Sequence, residues 1–523
     1  MSSNSLTARR SMKQTSWIAH VFLAVGVLLL STTSPLVADE QLMAGCSVVD
    51  ISPRVLPAIR NGGFLEQVSN RIDDPLRSRC VALSDGKQTL AIAVVDSCMI
   101  PTDVCDAIKN RVAESAKIQP EQILIAATHT HSAPSVMDFC LGTRKDEAYT
   151  AQLIDQVSQG IVAAVSDLRP ARIGWSVVEA PDHTHCRRWL KHPAAFGTDP
   201  FGQVTVRAMM HPGYQNPEYT GPAGPVDTQL SLVSIQTADR QPLCLLANYS
   251  MHYFGAGEGF SADYFGEFAG LVEAKLQPNV ATQSSRPFLA IMSQGTSGDL
   301  HWMDYSQPPR ADFSSKQYAE GLASIALKSM ESIEFRNSVK LETAQTRLKL
   351  SRRLPSEERL KWARELNLAR GERRPKDLPE VYAEQAVWLH ENPTAEVPLQ
   401  AIRIGDLAIA ALPNEVFGIT GLKLKAQSPL QPLVVMELAN GAEGYIPPPE
   451  QHALGGYTTW PARTAGLEID AEPKIVAAML ELLEQIADGA KRRPLSTDFY
   501  NEQQRQAIEA ASAANNNREN RGR

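Results

Sequence analysis

Short apolar runs, broken by Gly, Pro, Asn, Asp or Ser, recur along most of this chain and predict strands. They fall at Val81–Leu83, Leu90–Val95, Ile123–Ala127, Arg172–Val178, Leu230–Ile235, Leu243–Asn248 and Phe288–Ser293, then at Ala401–Ile404, Leu407–Ala411 and Leu433–Leu438. Ser84-Asp85-Gly86-Lys87 and Gly405-Asp406 separate adjacent runs and read as hairpin turns. Between the runs the apolar spacing changes to that of helices. Asp103–Lys117 reads as a helix capped by Thr102, and Asp146–Leu168 as a helix stopping before Pro170. Further helices are predicted at Ser261–Leu276, Ser314–Ile333, Ser356–Leu368, Pro379–His390 and Pro473–Asp488, the last ended by Gly489.

The charged pair Ser356–Leu368 and Pro379–His390 reads as a solvated layer packed through Leu360, Trp362, Leu366 and Trp388. Arg188–Pro225 is rich in Pro and Gly and reads as long functional loop. The pattern gives a mixed α/β (α+β) fold whose hairpins imply much antiparallel sheet. One catalytic unit is expected over residues 42–490, with a polar, disordered tail over 500–523.

Composition adds exclusions. The chain has 523 residues, 43% hydrophobic and 21% charged, which is ordinary for a globular enzyme. A net charge of −7 and the absence of a basic stripe argue against nucleic acid. At the start, Arg9, Arg10 and Lys13 precede the apolar stretch Trp17–Leu30, and Leu36-Val37-Ala38 offers a cleavage site. Residues 1–38 therefore read as a signal peptide, and the protein as exported, periplasmic or secreted. An uncleaved signal anchor is the alternative. The seven cysteines are widely spaced with no C-x-x-C, so buried free thiols are expected for several, with one or two bridges allowed.

The chemistry concentrates at strand ends. Ile123–Ala127 leads into His129 and His131, which as i and i+2 in extended backbone point to one face. Paired imidazoles of this spacing suit Zn2+. Other runs lead to Asp96, His252, Asp299 and His301, Glu415, and Asn440 and Tyr445. Strand ends are where α/β sheets build sites, because the sheet fixes geometry and the loops supply reactive groups. A second His-x-His, His183-Thr184-His185, competes for the metal, but Pro181 breaks the run before it, and it reads as a substrate-loop feature.

Four ordered blocks carry a family resemblance: AATHTHSAP at 126–134, NYSMHYFGAG at 248–257, LPNEVFG at 412–418 and ELANGAEGYIPPPEQHALGGY at 437–457. With AGCSVVDISP at 44–53, they resemble the neutral/alkaline non-lysosomal ceramidases over about residues 42–490. The resemblance implies a single Zn2+ held by His129, His252, Glu415 and Tyr445. It also implies that His131 and Tyr457 contact the scissile group, Tyr457 falling twelve positions after Tyr445. Arg187 would face substrate, with Arg188 as the alternative.

The chain departs from the pattern in Gly298-Asp299-Leu300-His301-Trp302-Met303, where His301 stands in place of the family's serine. A serine nucleophile at that position is excluded, and His301 becomes a candidate proton donor or metal ligand. Ser293 and Ser297 are nearby, with nothing in the sequence pairing them with a base. The family's C-terminal immunoglobulin-like domain is expected to be missing. The expectation is an exported zinc-dependent hydrolase of amide bonds, acting on N-acylsphingosine or a related N-acyl lipid through activated water, with His131 or His301 as base. A small-molecule or lipid substrate is implied, with peripheral membrane contact through that lipid. The alternatives are a different ester, amide or sugar-linked substrate, or a non-catalytic envelope protein binding lipid or glycan.

Overall fold

The structure is a computed structural model and describes residues 41–277 and 287–521. The expected signal peptide lies outside the described residues. Among those described, the apolar runs assemble into two main sheets. The larger has eight strands in the spatial order Leu289–Gln294, Pro242–Tyr249, Gln229–Thr237, Arg169–Glu179, Met43–Asp50, Arg77–Ser84, Thr89–Val95, Ile123–Ala127. Neighbours run antiparallel except at the two ends. There Pro242–Tyr249 pairs parallel with Leu289–Gln294, and Thr89–Val95 parallel with Ile123–Ala127. The smaller sheet orders Leu341–Ser351, Thr394–Ile404, Leu407–Ala411 and Leu433–Met436, again with its last pair parallel. The fold is mixed α/β, as the periodicity predicts.

The parallel pairs position the chemistry. Both strands of such a pair end on the same side, so the loops leaving them are neighbours. Adjacent strands also twist by roughly 20–25°. Over the larger sheet this twist brings the two edges round, and Leu289–Gln294 touches Ile123–Ala127. Loops from opposite ends of the strand order thereby meet.

Apolar layers hold the arrangement. Leu83, Ile92 and Leu124 of the larger sheet pack against Ile402, Ile409 and Val434 of the smaller. Helices Thr102–Ser115 and Glu147–Ser166 cover one part of the larger sheet's other face, and Asp263–Leu276 with Ser315–Met330 cover another. Ala471–Gln485 covers the smaller sheet through Ile475, Met479 and Leu483. No helix among the described residues is long and apolar enough to cross a membrane.

Four expectations need correction. Thr102 does not cap its helix: it is the first helical residue, and Pro101 precedes it without a side-chain cap. Arg188–Pro225 is not loop throughout. Arg188–Lys191, Ala208–Met210 and Tyr219–Pro222 form a small sheet, too short to show a period in sequence. The expected disordered tail contains the helix Glu502–Arg521. Its Ala507, Ile508 and Ala511 sit on Leu190, Ala208 and Leu454, a stripe too small to register as amphipathic. All seven cysteines are free, which leaves no bridge.

Asn440 ties the site-bearing edge to the second sheet. Its backbone N–H donates to Ile125 O at 2.7 Å, and its side chain accepts from Ile125 N at 3.1 Å and donates to Gln400 Oε1 at 2.8 Å. Its φ of 62° is left-handed, a conformation that costs Asn less than Leu. Asn440→Leu is expected to lower the unfolding free energy by about 3 kcal/mol, from lost buried hydrogen bonds and backbone strain. Urea denaturation midpoints check this; a shift within ordinary surface-mutation scatter would show that the tie carries no load.

Candidate metal centre

His129 leaves the Ile123–Ala127 strand with a left-handed φ of 72°, held by its N–H donating to Ser97 O at 2.9 Å. Its Nδ1 donates to Cys98 O at 2.8 Å, which puts the lone pair on Nε2. That nitrogen stands 3.0 Å from His252 Nε2, 3.2 Å from His131 Nε2 and 3.4 Å from Glu415 Oε2. His252 Nε2 is 3.7 Å from the same carboxylate oxygen. Donors about 2.0–2.1 Å from a tetrahedral centre stand about 3.3 Å from one another, so the spacing of this trio fits one divalent ion.

The chemistry of the trio supports the same fit. His129, His252 and Glu415 are fully buried, and neither Glu415 oxygen has a hydrogen-bond partner. A buried carboxylate without partners is costly, and a cation between the three groups removes the cost. Burial, then the charge of Arg187, pushes the His252 imidazole well below its usual range, so it stands neutral as a ligand must. Cys98, His129 and His131 form an alternative trio. It fits less well, because His129 Nδ1 is committed to Cys98 O and burial pushes the Cys98 thiol well up, toward the uncharged form.

A second layer orients His252. Ser297 Oγ lies 3.5 Å from its Nδ1 and donates to Glu437 Oε1 at 2.7 Å. Glu437 in turn accepts from Val416 N at 2.6 Å and Ser297 N at 3.3 Å. Ser297 therefore does have partners that the sequence did not reveal. It is completely buried and off the cavity lining, so it is a support and not a nucleophile. Ser293 bonds Ala247 O and Asn248. Gly298 lets this loop lie against Glu415, whose carbonyl oxygen a Cβ would meet at 2.7 Å.

The remaining residues divide. Arg187 is buried with its Nη2 donating to Gly298 O at 2.8 Å and to Tyr445 Oη at 3.2 Å. The same nitrogen is 3.0 Å from His252 Nε2 and 3.4 Å from its Nδ1. It thus contacts both nitrogens of the His252 ring, Nε2 more closely. Burial works against Arg187's charge, but Tyr457, Tyr445, Tyr253 and Glu415 outweigh it and push its pKa up. Arg188, the first residue of the Arg188–Lys191 strand, points away, to Gln451 and Ala208 O.

Tyr445 pairs in register with Glu415 across two short parallel strands, and burial, then Glu415, pushes its phenol well up. Tyr457 stands 5.8 Å from Tyr445, ring to ring. His131 stacks on Tyr253 at 3.8 Å over Gly62, where a Cβ would meet its ring at 2.6 Å. With Gly62, Phe64, Met99 and Leu141, these groups line a cavity of about 250 Å3.

Other expectations are not met. His301 is buried but is neither in the donor trio nor on the cavity lining. It stands edge-on to His211 at 5.3 Å and Tyr253 at 5.6 Å, which do line the cavity. His183 packs on Tyr318 and His185 pairs with His301, so the second His-x-His stays apart from the trio. Tyr253 and His211 were missed. Tyr253 directly follows His252, a signal available in the sequence, and His211 directly follows the short apolar run Ala208–Met210, which also went unread.

Residues 43–302 match the profile of the neutral/alkaline non-lysosomal ceramidases, N-terminal. Among solved structures, the neutral ceramidase from Pseudomonas aeruginosa is similar with TM-score 0.63 and 16% identity, over 88% of this chain and 77% of that one. A ceramidase complexed with C2 is similar with TM-score 0.64 and 15% identity, over 88% and 78%. No curated protein matches the sequence.

Purified protein is expected to retain about one divalent ion per chain. Glu415→Ala should abolish that retention, and Ser297→Ala should weaken metal affinity about 10- to 100-fold through loss of ring orientation. Elemental analysis and chelator competition measure both. Undiminished affinity in Glu415→Ala would rule out this centre.

Proposed function

Because residues 43–302 belong to the neutral/alkaline non-lysosomal ceramidases, we propose that this chain is an exported, zinc-dependent hydrolase cleaving the amide of an N-acyl lipid. The observation that carries the reading is the meeting of His129, His252 and Glu415 on the wall of a cavity that also presents a charged arginine. Two neutral imidazoles, a carboxylate and the Tyr445 oxygen would hold the ion. When bound, Zn2+ polarises a carbonyl and brings the pKa of water toward neutrality.

The chain's own residues supply the rest. Arg187 holds the negative charge that builds on the carbonyl oxygen as water adds to the carbonyl carbon. His131 turns its Nε2 toward the cluster, and burial, then His129, pushes its pKa well down. Neutral, it accepts the proton from the attacking water. The resulting imidazolium returns that proton to the amide nitrogen as the C–N bond breaks, leaving a carboxylic acid and an amine; the acid's proton then passes to the amine, giving carboxylate and ammonium. Tyr457, opposite Phe64 at 5.7 Å, borders the reacting amide.

The cavity volume of about 250 Å3 supports a lipid substrate whose chains remain outside. Pockets enclosing whole drug-sized ligands span about 300–1,000 Å3. Gly62–Phe64 form the tip of the hairpin joining Ala58–Arg60 to Gln67–Ser69, and that tip lines the cavity. On the same hairpin Val68 is 63% exposed, and Leu65 also reaches solvent. Exposed apolar side chains on this hairpin favour hydrocarbon over water. His301, standing where the family has serine, favours a second reading in which the scaffold cleaves a different acyl amide or ester.

His129→Ala and His252→Ala are expected to lose zinc and at least about 1,000-fold in kcat/KM on N-acyl lipids. Full turnover in either would end the proposal. Gly62→Ala should keep its zinc but lose roughly 100-fold in kcat, because the added methyl displaces His131. A zinc-loaded wild type inert toward N-acyl sphingoid, N-acyl amine and ester substrates alike would be a binding protein instead.

A further inference from the structure

His211 touches Arg187 twice. Its backbone N–H donates to Arg187 O at 2.9 Å, and its side-chain Nε2 lies 3.4 Å from Arg187 Nη1. Guanidinium nitrogens only donate, so Nε2 must carry the lone pair and Nδ1 the proton. Nδ1 is 2.6 Å from Tyr305 Oη, which accepts that proton and turns its own O–H toward Met303 Sδ at 3.1 Å. The directions are mutually consistent along the whole chain of contacts. Burial, then Arg187, also pushes the His211 imidazole down to about 3, which keeps the acceptor lone pair free at neutral pH.

Two more observations point the same way. His211 adopts a left-handed φ of 54°, uncommon for a residue other than Gly or Asn, and kept only where the surroundings impose it. Arg187's other terminal nitrogen is occupied by Gly298 O and Tyr445 Oη, and its Nε has no partner. His211 is therefore the group that fixes the Nη1 end of a buried cation lining the cavity.

We infer that His211 is a positioning residue: oriented by Tyr305, it holds the Arg187 guanidinium where the negative oxygen of an acyl substrate or carboxylate product lies. The inference rests on the hydrolase reading for what Arg187 faces, and it reaches its effect through Arg187 alone.

The test is hexanoate binding to the zinc-loaded protein, followed by calorimetry, so that it stands whether or not a turnover substrate is in hand. His211→Asn suits the left-handed backbone and keeps a donor for Tyr305 in its Nδ2, but withdraws the acceptor facing Nη1. It should weaken hexanoate about tenfold with an unchanged melting temperature. His211→Gln, which restores an acceptor at the Nε2 position, should recover most of the affinity. Arg187→Ala should weaken binding at least as much, and His211→Asn added to it should cost nothing further. Wild-type affinity in His211→Asn, or an effect persisting undiminished in the Arg187→Ala background, overturns the inference. Unchanged hexanoate binding in Arg187→Ala does so too. Absence of turnover on every acyl substrate would instead count against the hydrolase reading, and the coupling between the two residues would still be read from the calorimetry.

Discussion

A buried carboxylate with no hydrogen-bond partner, facing two imidazole lone pairs, is the constraint on which this structure turns. Glu415 has given up water and received no donor in return. In a low-dielectric interior a cation among the three groups relieves the cost of that arrangement. The nearest protein cation, Arg187, does not take that place. Its Nη2 is shared among His252, Gly298 O and Tyr445 Oη, and no ion pair joins it to Glu415 among the described residues. The three groups together could hold a metal ion.

Its precision comes from groups behind the donors. His129 is turned by Cys98 O, and His252 is braced by Ser297, itself anchored on Glu437. Each ring thus has one nitrogen committed to protein and the other aimed inward, the division of labour expected of metal-binding histidines. The same logic extends to Arg187, whose two terminal nitrogens are fixed from opposite sides, by Gly298 and Tyr445 on one and His211 on the other. Flexible side chains are thereby converted into fixed dipoles, and no reorganisation remains to be done when charge develops in the cavity.

The fold explains how residues so far apart arrive together. Three parallel strand pairs supply the loops, and each sends two carboxyl ends toward one side. Two of the pairs lie at opposite edges of the larger sheet, and its accumulated twist brings those edges into contact. The third belongs to the smaller sheet, packed on the larger through a continuous apolar layer. Asn440 then stitches the edge strand that carries His129 to the sheet that carries Glu415.

Much of this was legible in the sequence, for a local reason. Strand runs, hairpin turns and helices are set by side-chain period and turn chemistry within a few residues. The i, i+2 spacing of His129 and His131 likewise needs no tertiary information to share a face. The ordered blocks around His252, Glu415 and Tyr445 marked the further residues that the resemblance implied. What the sequence did not contain was convergence and facing. The 3.0 Å approach of His129 to His252 depends on sheet curl, which is summed over many strands and written in none. Arg187 and Arg188 are chemically identical neighbours, separated only by which side of the backbone meets the cavity. His301 sits where the family's serine would, yet it meets the cavity only through Tyr253 and His211, which line it. His211 and Ser297 acquire roles only through partners distant in sequence, and the terminal helix finds its place through alanines too small to announce a buried face. Local pattern fixes the elements and the residue types at their ends. Only the long-range packing of those elements decides which ends meet and what each side chain touches there.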